Sequence, residues 1–361
     1  MLSYALTIAV LGCTITANLA AAPFPRFIEH ILQNFGNESV TGYVIDGRTL
    51  VTWGDRLLWR SLPKGIYRVV HGREGAFTEG GCLLDVDGDG RVDVVVNEGG
   101  PEAALVWFRA PDRGNLWVRN VIDTGIDAPD ILPVTLFGRR GILLIHKHIQ
   151  VRFYEIPADP ATRWQPQDIY SFYSPSHQGG LRMADIDGDG RPDILAGNYW
   201  IRSPESFELP WRLFAIEPWN ETLQSAMLRM IYAPLSDAAP ELLIAQREMQ
   251  PARLARLEKP ADPRQLWIEH RIGGLPDLAR PNSLDVADFD GDSRPDILMA
   301  EKAGAGRLMV LHNEGGGRFT PVVIAQGRPI QFARAVDVNG DGRPDILVIR
   351  KGALAWWENR P

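Results

Sequence analysis

The sequence predicts an all-β fold, a seven-bladed β-propeller of four-stranded repeats about 49 residues long. Three observations carry that expectation. One segment recurs four times almost unchanged, worn copies of it fill the gaps, and each unit holds four short apolar runs separated by Gly, Pro, Asp and Asn. Self-similarity at this period is the mark of a repeat fold. Short runs rich in Val, Ile, Leu and aromatics between turn residues read as strands, and no window carries a sustained helical period.

The strong copies span Leu84–Val96, Ala184–Ala196, Ala287–Met299 and Val336–Val348. Each opens on an aspartate (Asp85, Asp185, Asp288, Asp337), and the gaps between these are 100, 103 and 49 residues. Two gaps are about double the third, so degenerate copies are expected inside them. Asp237–Ala245 matches the end of the repeat with Glu241 in the column of Asp193, Gly138–Ile145 keeps the apolar strand without the acids, and Tyr43–Val51 is a third worn copy. The apolar strands then open at Thr49, Asp93, Gly141, Asp193, Glu241, Asp296 and Asp345, 44 to 55 residues apart. Seven units account for residues 23–361, read as one propeller domain.

In the sixth unit the four strands are expected at Leu284–Phe289, Ile297–Lys302, Arg307–Asn313 and Arg318–Ala325. The seventh supplies only three, Arg334–Val338, Ile346–Arg350 and Ala353–Glu358. Its missing strand resembles Phe27–Leu32, which is similar to the fourth-strand segments beginning at Trp117 and Trp267. The N-terminal strand is therefore expected to complete the last blade, which removes an exposed sheet edge.

Composition narrows the function. The chain has 38 Lys+Arg against 45 Asp+Glu, so it lacks the basic excess that nucleic acid demands. Two cysteines exclude a disulfide framework. An apolar run from Tyr4 to Ile15, followed by Ala20-Ala21-Ala22, reads as an export signal over residues 1–22, too short to span a bilayer. The rival reading is a lipid anchor at Cys13, within Val10-Leu11-Gly12-Cys13. No later run is long enough for a transmembrane helix, so the chain is placed outside the cell, in a periplasm or on the cell surface, as a monomer. Asn37 and Asn220 open glycosylation sequons that matter only in a eukaryotic host. Cys82 is expected to be a buried, unreactive thiol.

The acids of each strong copy fall at loop positions one, three, five and nine. They are Asp85, Asp87, Asp89 and Asp93; Asp185, Asp187, Asp189 and Asp193; Asp288, Asp290, Asp292 and Asp296; and Asp337, Asn339, Asp341 and Asp345. Carboxylates this close repel one another unless a cation gathers them. Oxygen-only donors on a glycine-permitted turn suit Ca²⁺, with Mg²⁺ the lesser alternative because it demands stricter octahedral geometry. By analogy with the EF-hand loop, the position-seven residues Arg91, Arg191, Arg294 and Arg343 would contribute backbone carbonyls. Up to four structural Ca²⁺ ions are expected, held more weakly where Asn339 replaces a carboxylate and where Ser293 replaces a turn glycine. A metal-free Asp-Gly turn is the alternative for any single copy.

These loops resemble the calcium-binding loops of FG-GAP and VCBS repeats, the family that includes the integrin α-subunit propeller. The resemblance covers the chain as about seven units, although Phe137-Gly138 is an isolated instance of the eponymous Phe-Gly pair. It implies a calcium-braced propeller whose Asp-x-Asp positions are metal ligands. It does not imply adhesion, because the family spans surface adhesion, carbohydrate recognition and some extracellular lyases.

Propeller ligands are expected on the face opposite the acidic loops. The richest segment there is in the fourth unit, where Tyr199, Trp200 and Arg202 follow the second strand and His177 precedes the first. Such a group suits a sugar ring or acidic saccharide by stacking and hydrogen bonding. The alternative is that Tyr199 and Trp200 pack between blades. A second column, Cys82, Arg182, Asp285 and Arg334, either lines the channel mouth or forms an inter-blade ion-pair network. His30 and His270 share an outer-strand column and read as structural, whereas His146 and His148, two apart, would share one strand face. The function expected is an exported, calcium-stabilised module that binds a glycan or a surface protein. The alternative is a polysaccharide lyase with His177 and Tyr199 as acid/base and Arg182 or Arg202 neutralising a carboxylate. No nucleophile elbow, phosphate loop or HExxH motif is present.

Overall fold

The computed structural model describes residues 24–360 apart from 37, 72–76, 115, 173–176, 219–225, 236–238, 250 and 276. The export leader with Cys13, the sequon asparagines Asn37 and Asn220, and Asp237 lie outside the described residues.

Every regular element among the described residues is a strand, and the strands form seven sheets. Blade one is β2 (Val40–Asp46), β3 (Thr49–Gly54), β4 (Leu57–Ser61) and β5 (Arg68–His71). Blade two is β6 (Phe77–Leu84), β7 (Asp93–Glu98), β8 (Ala104–Arg109) and β9 (Val118–Thr124). Blade three is β10 (Asp130–Leu136), β11 (Arg139–His146), β12 (Gln150–Glu155) and β13 (Pro166–Ser171). Blade four is β15 (Leu181–Ala184), β16 (Asp193–Ala196), β17 (Tyr199–Arg202) and β18 (Arg212–Ala215). Blade five is β19 (Ala226–Ala233), β20 (Glu241–Gln246), β21 (Arg253–Glu258) and β22 (Ile268–Arg271), with the two-residue β14 (Gln178–Gly179) added in parallel at its inner edge. Blade six is β23 (Pro281–Ala287), β24 (Asp296–Glu301), β25 (Leu308–Gly315) and β26 (Arg318–Ala325).

Blade seven takes three strands from the C-terminus, β27 (Ile330–Val336), β28 (Asp345–Arg350) and β29 (Ala353–Arg360), and its fourth, β1 (Arg26–Asn34), from the other end of the chain. β1 runs antiparallel to β29 from Arg26 opposite Arg360 to Asn34 opposite Ala353. The His30 ring stacks on Trp356 at 4.8 Å, and Phe27 meets Phe289 of the neighbouring blade edge-on at 5.8 Å. The expected closure by the N-terminal strand is therefore what the chain does. Inner strands end earlier than the sequence suggested. β23 and β27 stop at Ala287 and Val336, because the following aspartates turn the backbone away instead of continuing the ladder.

The second strands explain the unbroken apolar runs. Val94 and Val96 of β7 pack toward blade one, while Val95 between them packs toward blade three. Both faces of such a strand are buried, so period-two alternation disappears from the sequence. Seven apolar clusters result, one at each blade–blade boundary. The cluster that joins Leu50 and Leu58 of blade one to Leu347 and Trp356 of blade seven closes the ring.

Candidate functional site

The four acidic loops join first to second strands in blades two, four, six and seven, so they share one face of the ring. Their local geometry is the same each time. The first aspartate folds the loop over itself: Gly88 and Gly90 N–H donate to the two oxygens of Asp85 at 2.7 and 2.9 Å. Gly188 and Gly190 do the same to Asp185, and Gly340 and Gly342 to Asp337. The second glycine of each pair has a left-handed φ near 83–86°. In blade six Ser293 takes that place with φ 69° and still donates to Asp288 at 2.8 Å. A side chain in this region is strained, so Ser293 is tolerated there at a cost that glycine avoids.

The last aspartate is the fixed point of each loop. Asp93, Asp193, Asp296 and Asp345 are all fully buried. Each accepts one backbone N–H from within its loop and one from the end of the third strand. For Asp93 the donors are Val86 at 2.9 Å and Ala110 at 2.7 Å. For Asp345 they are Val338 at 3.0 Å and Asn359 at 2.8 Å. Burial pushes Asp93, Asp193 and Asp345 up to about 6, against the pull of these backbone donors, and raises Asp296 as well. The worn copy in blade five keeps the buried acid but changes its partner. There Glu241 accepts two hydrogen bonds of 2.6 Å from Arg256.

Between these anchors, the middle carboxylates converge. Oxygens of Asp85, Asp87 and Asp93 lie within 4.8 Å of one another, as do those of Asp185, Asp187 and Asp193, and of Asp288, Asp290 and Asp292. The seventh-blade loop, with Asn339 at position three, offers only an amide there, and that amide donates to Asp341 at 3.1 Å. The donor set fits a hard divalent cation: it is all oxygen in blades two and four, and Asp187 Oδ1 is buried with no hydrogen-bond partner. Arg91, Arg191, Arg294 and Arg343 fold their side chains back onto the position-five aspartate of their own loops.

One column of residues was missed in the sequence. In blades two, four and six the residue just before the third-strand donor faces the loop: Arg109, Arg202 and His312; in blade seven Glu358 holds that place but pairs with His30 and Arg360. Arg109 pairs with Asp87 and Asp89, and Arg202 with Asp187 and Asp189. His312 Nδ1 lies 3.4 Å from Asp290 and 3.3 Å from Asp296. Aligning third strands across repeats would have exposed this column; the acidic loops alone do not.

That finding redistributes the predicted ligand residues. Tyr199 to Arg202 form strand β17 and not a loop, because only Gly197 and Asn198 separate it from β16. Trp200 is 1% exposed, stacks on Phe214 and belongs to the apolar cluster between blades four and five. Tyr199 stacks on Phe172 at 5.2 Å. Arg202 lies at the acidic-loop end of β17. His177 is exposed on the other face, its ring 5.6 Å from that of His148. The four residues are therefore not one surface group, and the bland alternative, packing between blades, describes Trp200. His146 and His148 do not share a strand face either: β11 ends at His146, and Lys147 and His148 form the hairpin turn with φ 50° and 61°. Neither histidine joins any set of three ligand atoms within 4.8 Å among the described residues.

The charged first-strand column lines the central channel and also pairs across blades. Arg334 Nε sits 3.2 Å from Asp285 Oδ2 of the adjacent blade, and Arg182 faces the same channel. Cys82, in this column, is buried among apolar side chains, and burial pushes its thiol up to about 12.

A family model for FG-GAP-like repeats matches residues 288–348, the stretch that holds the loops of blades six and seven. No curated protein matches the sequence. Among solved structures, YCF48 from Cyanidioschyzon merolae is similar, with a TM-score of 0.58 and 13% identity over 91% of this chain and 98% of that one. At that identity the likeness speaks for the fold alone. The segment that matches FG-GAP-like repeats is thus set on a ring of seven four-stranded blades, a seven-bladed β-propeller.

Proposed function

We propose that this protein is an exported, calcium-stabilised binding module that holds a glycan or protein ligand on the face opposite its acidic loops. The observation that supports it most is the division of labour between the two faces. One face carries four self-folded acidic loops, and in those of blades two, four and six three carboxylates converge as a donor set suited to Ca²⁺. The other carries the mouth of a channel to which every blade contributes, lined with charged side chains. The loops of blades two and four would hold the metal through Asp85, Asp87 and Asp93, and through Asp185, Asp187 and Asp193. Bound Ca²⁺ would neutralise the converging carboxylates and brace the turn between first and second strands. The apolar leader followed by Ala20-Ala21-Ala22 supports export. The residues named for a lyase are dispersed between the two faces and the core, which leaves the binding reading ahead.

Two measurements test this reading. Thermal melts in excess CaCl₂ and in EDTA should differ, since each site filled at 100 times its Kd stabilises the fold by about 2.7 kcal/mol. Equal melting temperatures would remove calcium from the account. A glycan array with and without chelator should show retention without product formation. A rise in absorbance from unsaturated uronate products would instead establish a lyase.

A further inference from the structure

The channel mouth holds more positive than negative charge, and among the described residues neither Arg182 nor nearby Lys302 has a carboxylate within 4.0 Å. Arg229 and Arg247 share a single carboxylate, with Glu79 Oε2 at 3.4 and 3.7 Å, and both also turn to the Asn282 side chain. Lys302 adds a further cation beside this group. Deeper in, Asp285 is saturated: it accepts from Val286 at 3.0 Å and Ala335 at 2.8 Å as well as pairing with Arg334. Asp130 is committed to Gly180 N–H at 2.9 Å. Arg182 donates only to the carbonyl of Leu181, at 2.7 Å, and among the described residues no carboxylate lies within 4.0 Å of it. Three cations (Arg182, Arg229 and Arg334) thus line the channel against one lining carboxylate, Glu79, with Asp130 and Asp285 already committed.

Glu79, Arg182, Arg229 and Arg334 line one cavity of about 240 Å³, together with the Tyr43 and Phe332 rings. That is room for the acidic group of a ligand, and less than the roughly 300–1,000 Å³ of a pocket that encloses a whole small molecule. Burial holds Arg182 below its usual range; Asp130 opposes this, and the Arg334 and Arg229 charges add to it. Glu79 is held low despite burial by Arg229, Arg247 and Lys302. Desolvated guanidinium groups crowded together are costly unless an anion joins them.

We propose that the central channel is a carboxylate-binding pocket in which Arg182, flanked by Arg229 and Arg334, receives the acidic group of a ligand such as a uronate sugar. A planar carboxylate matches the guanidinium fork, and the desolvated site strengthens the pair. Glu79 acts in the opposite sense, as the charge an incoming anion must approach. The inference rests on the binding-module reading and narrows its ligand to an acidic one.

The test is calorimetric titration at 50 mM salt with digalacturonate, with neutral galactobiose and with acetate, on the wild type, Arg182→Met and Glu79→Gln. Digalacturonate should bind and galactobiose should not. Acetate binding as tightly as digalacturonate would show that the carboxylate alone is the ligand group; weaker acetate binding would show that the sugar contributes. Arg182→Met should weaken binding at least about tenfold through loss of a charge-assisted pair. Glu79→Gln should tighten it by about threefold or more, a gain that a merely damaged fold does not produce. Digalacturonate binding that neither substitution alters places the site elsewhere and overturns the inference while sparing the binding module. Galactobiose binding without digalacturonate binding does the same. No binding of any probe removes the acidic ligand, and an empty glycan array beside it removes the module as well.

Discussion

Asn359 is the most informative single side chain with which to test how the blades are fastened. It is fully buried at the end of β29. Its amide donates to the carbonyl of Phe289 in blade six at 2.8 Å and to that of Pro344 in its own loop at 3.1 Å, while its backbone N–H holds Asp345 at 2.8 Å. In Asn359→Ala the backbone bond survives and both carbonyls lose their donor. Each orphaned buried group costs about 1–3 kcal/mol. Against this, Asn359 Oδ1 has no partner of its own, so truncation also relieves one buried acceptor. Two losses against one relief leave a net destabilisation of about 1–3 kcal/mol, before any void is counted. Because the side chain is neutral, the loss should be the same at pH 6 and pH 8 and the same in calcium as in chelator. Urea unfolding followed by tryptophan fluorescence and far-UV CD measures it, with Gln265→Ala as the exposed control, expected within about 0.5 kcal/mol of wild type. A change in the Asn359 variant no larger than in the control would refute the claim that these bonds clamp blade seven to blade six.

Deleting residues 23–33 removes the fourth strand of blade seven, the stacking of His30 on Trp356 and the contact of Phe27 with Phe289. It should lower the melting temperature and expose β29 as a pairing edge, visible as concentration-dependent association by light scattering; an unchanged melt would contradict ring closure by this strand. Cys82 should resist thiol reagents in the native protein at pH 8, because it is buried and its pKa is near 12, and should react rapidly in urea. Fast native labelling would mean that blade two opens readily.

The number of blades, their order and the strand that closes the ring were all legible because repetition averages out local ambiguity. Thr49, Asp93, Asp193, Glu241, Asp296 and Asp345 each open a second strand, as their common column implied. The acids of the loops were legible for the same reason. What failed was the reading of Tyr199, Trp200 and Arg202 as a surface group. Blade four has strands of only four residues, so a tight turn at Gly197-Asn198 converts an apparent loop into β17. Trp200 and Arg202 share one side of that strand, but Trp200, within it, packs into the core while Arg202, at its end, reaches the acidic loop. The channel charges were half legible: Arg182, Asp285 and Arg334 share a column, but Glu79 and Arg229 reach the same space from other columns, through ring geometry no repeat alignment encodes.

The two faces also differ in sign, and this decides how calcium and an acidic ligand would influence one another. The formal charge is −7, and fifteen of the acids sit in the four loops; four bound Ca²⁺ would bring the total to +1. Arg182 stands three residues before Asp185 and Arg334 three before Asp337, so roughly 10 Å at about 3.3 Å per residue separates the anion site from these loops. That is a little over one Debye length at physiological salt and about a third of one at about 0.01 M. If the coupling is purely a matter of field, calcium should tighten binding of an anion such as digalacturonate at 10 mM salt and do so much more weakly at 150 mM. A calcium effect as large at 150 mM as at 10 mM would need a mechanical route instead. The acidic loops sit directly on the inner strands that carry Arg182 and Arg334, so bracing the loops of blades four and seven would then set the spacing of those two guanidinium groups across the channel.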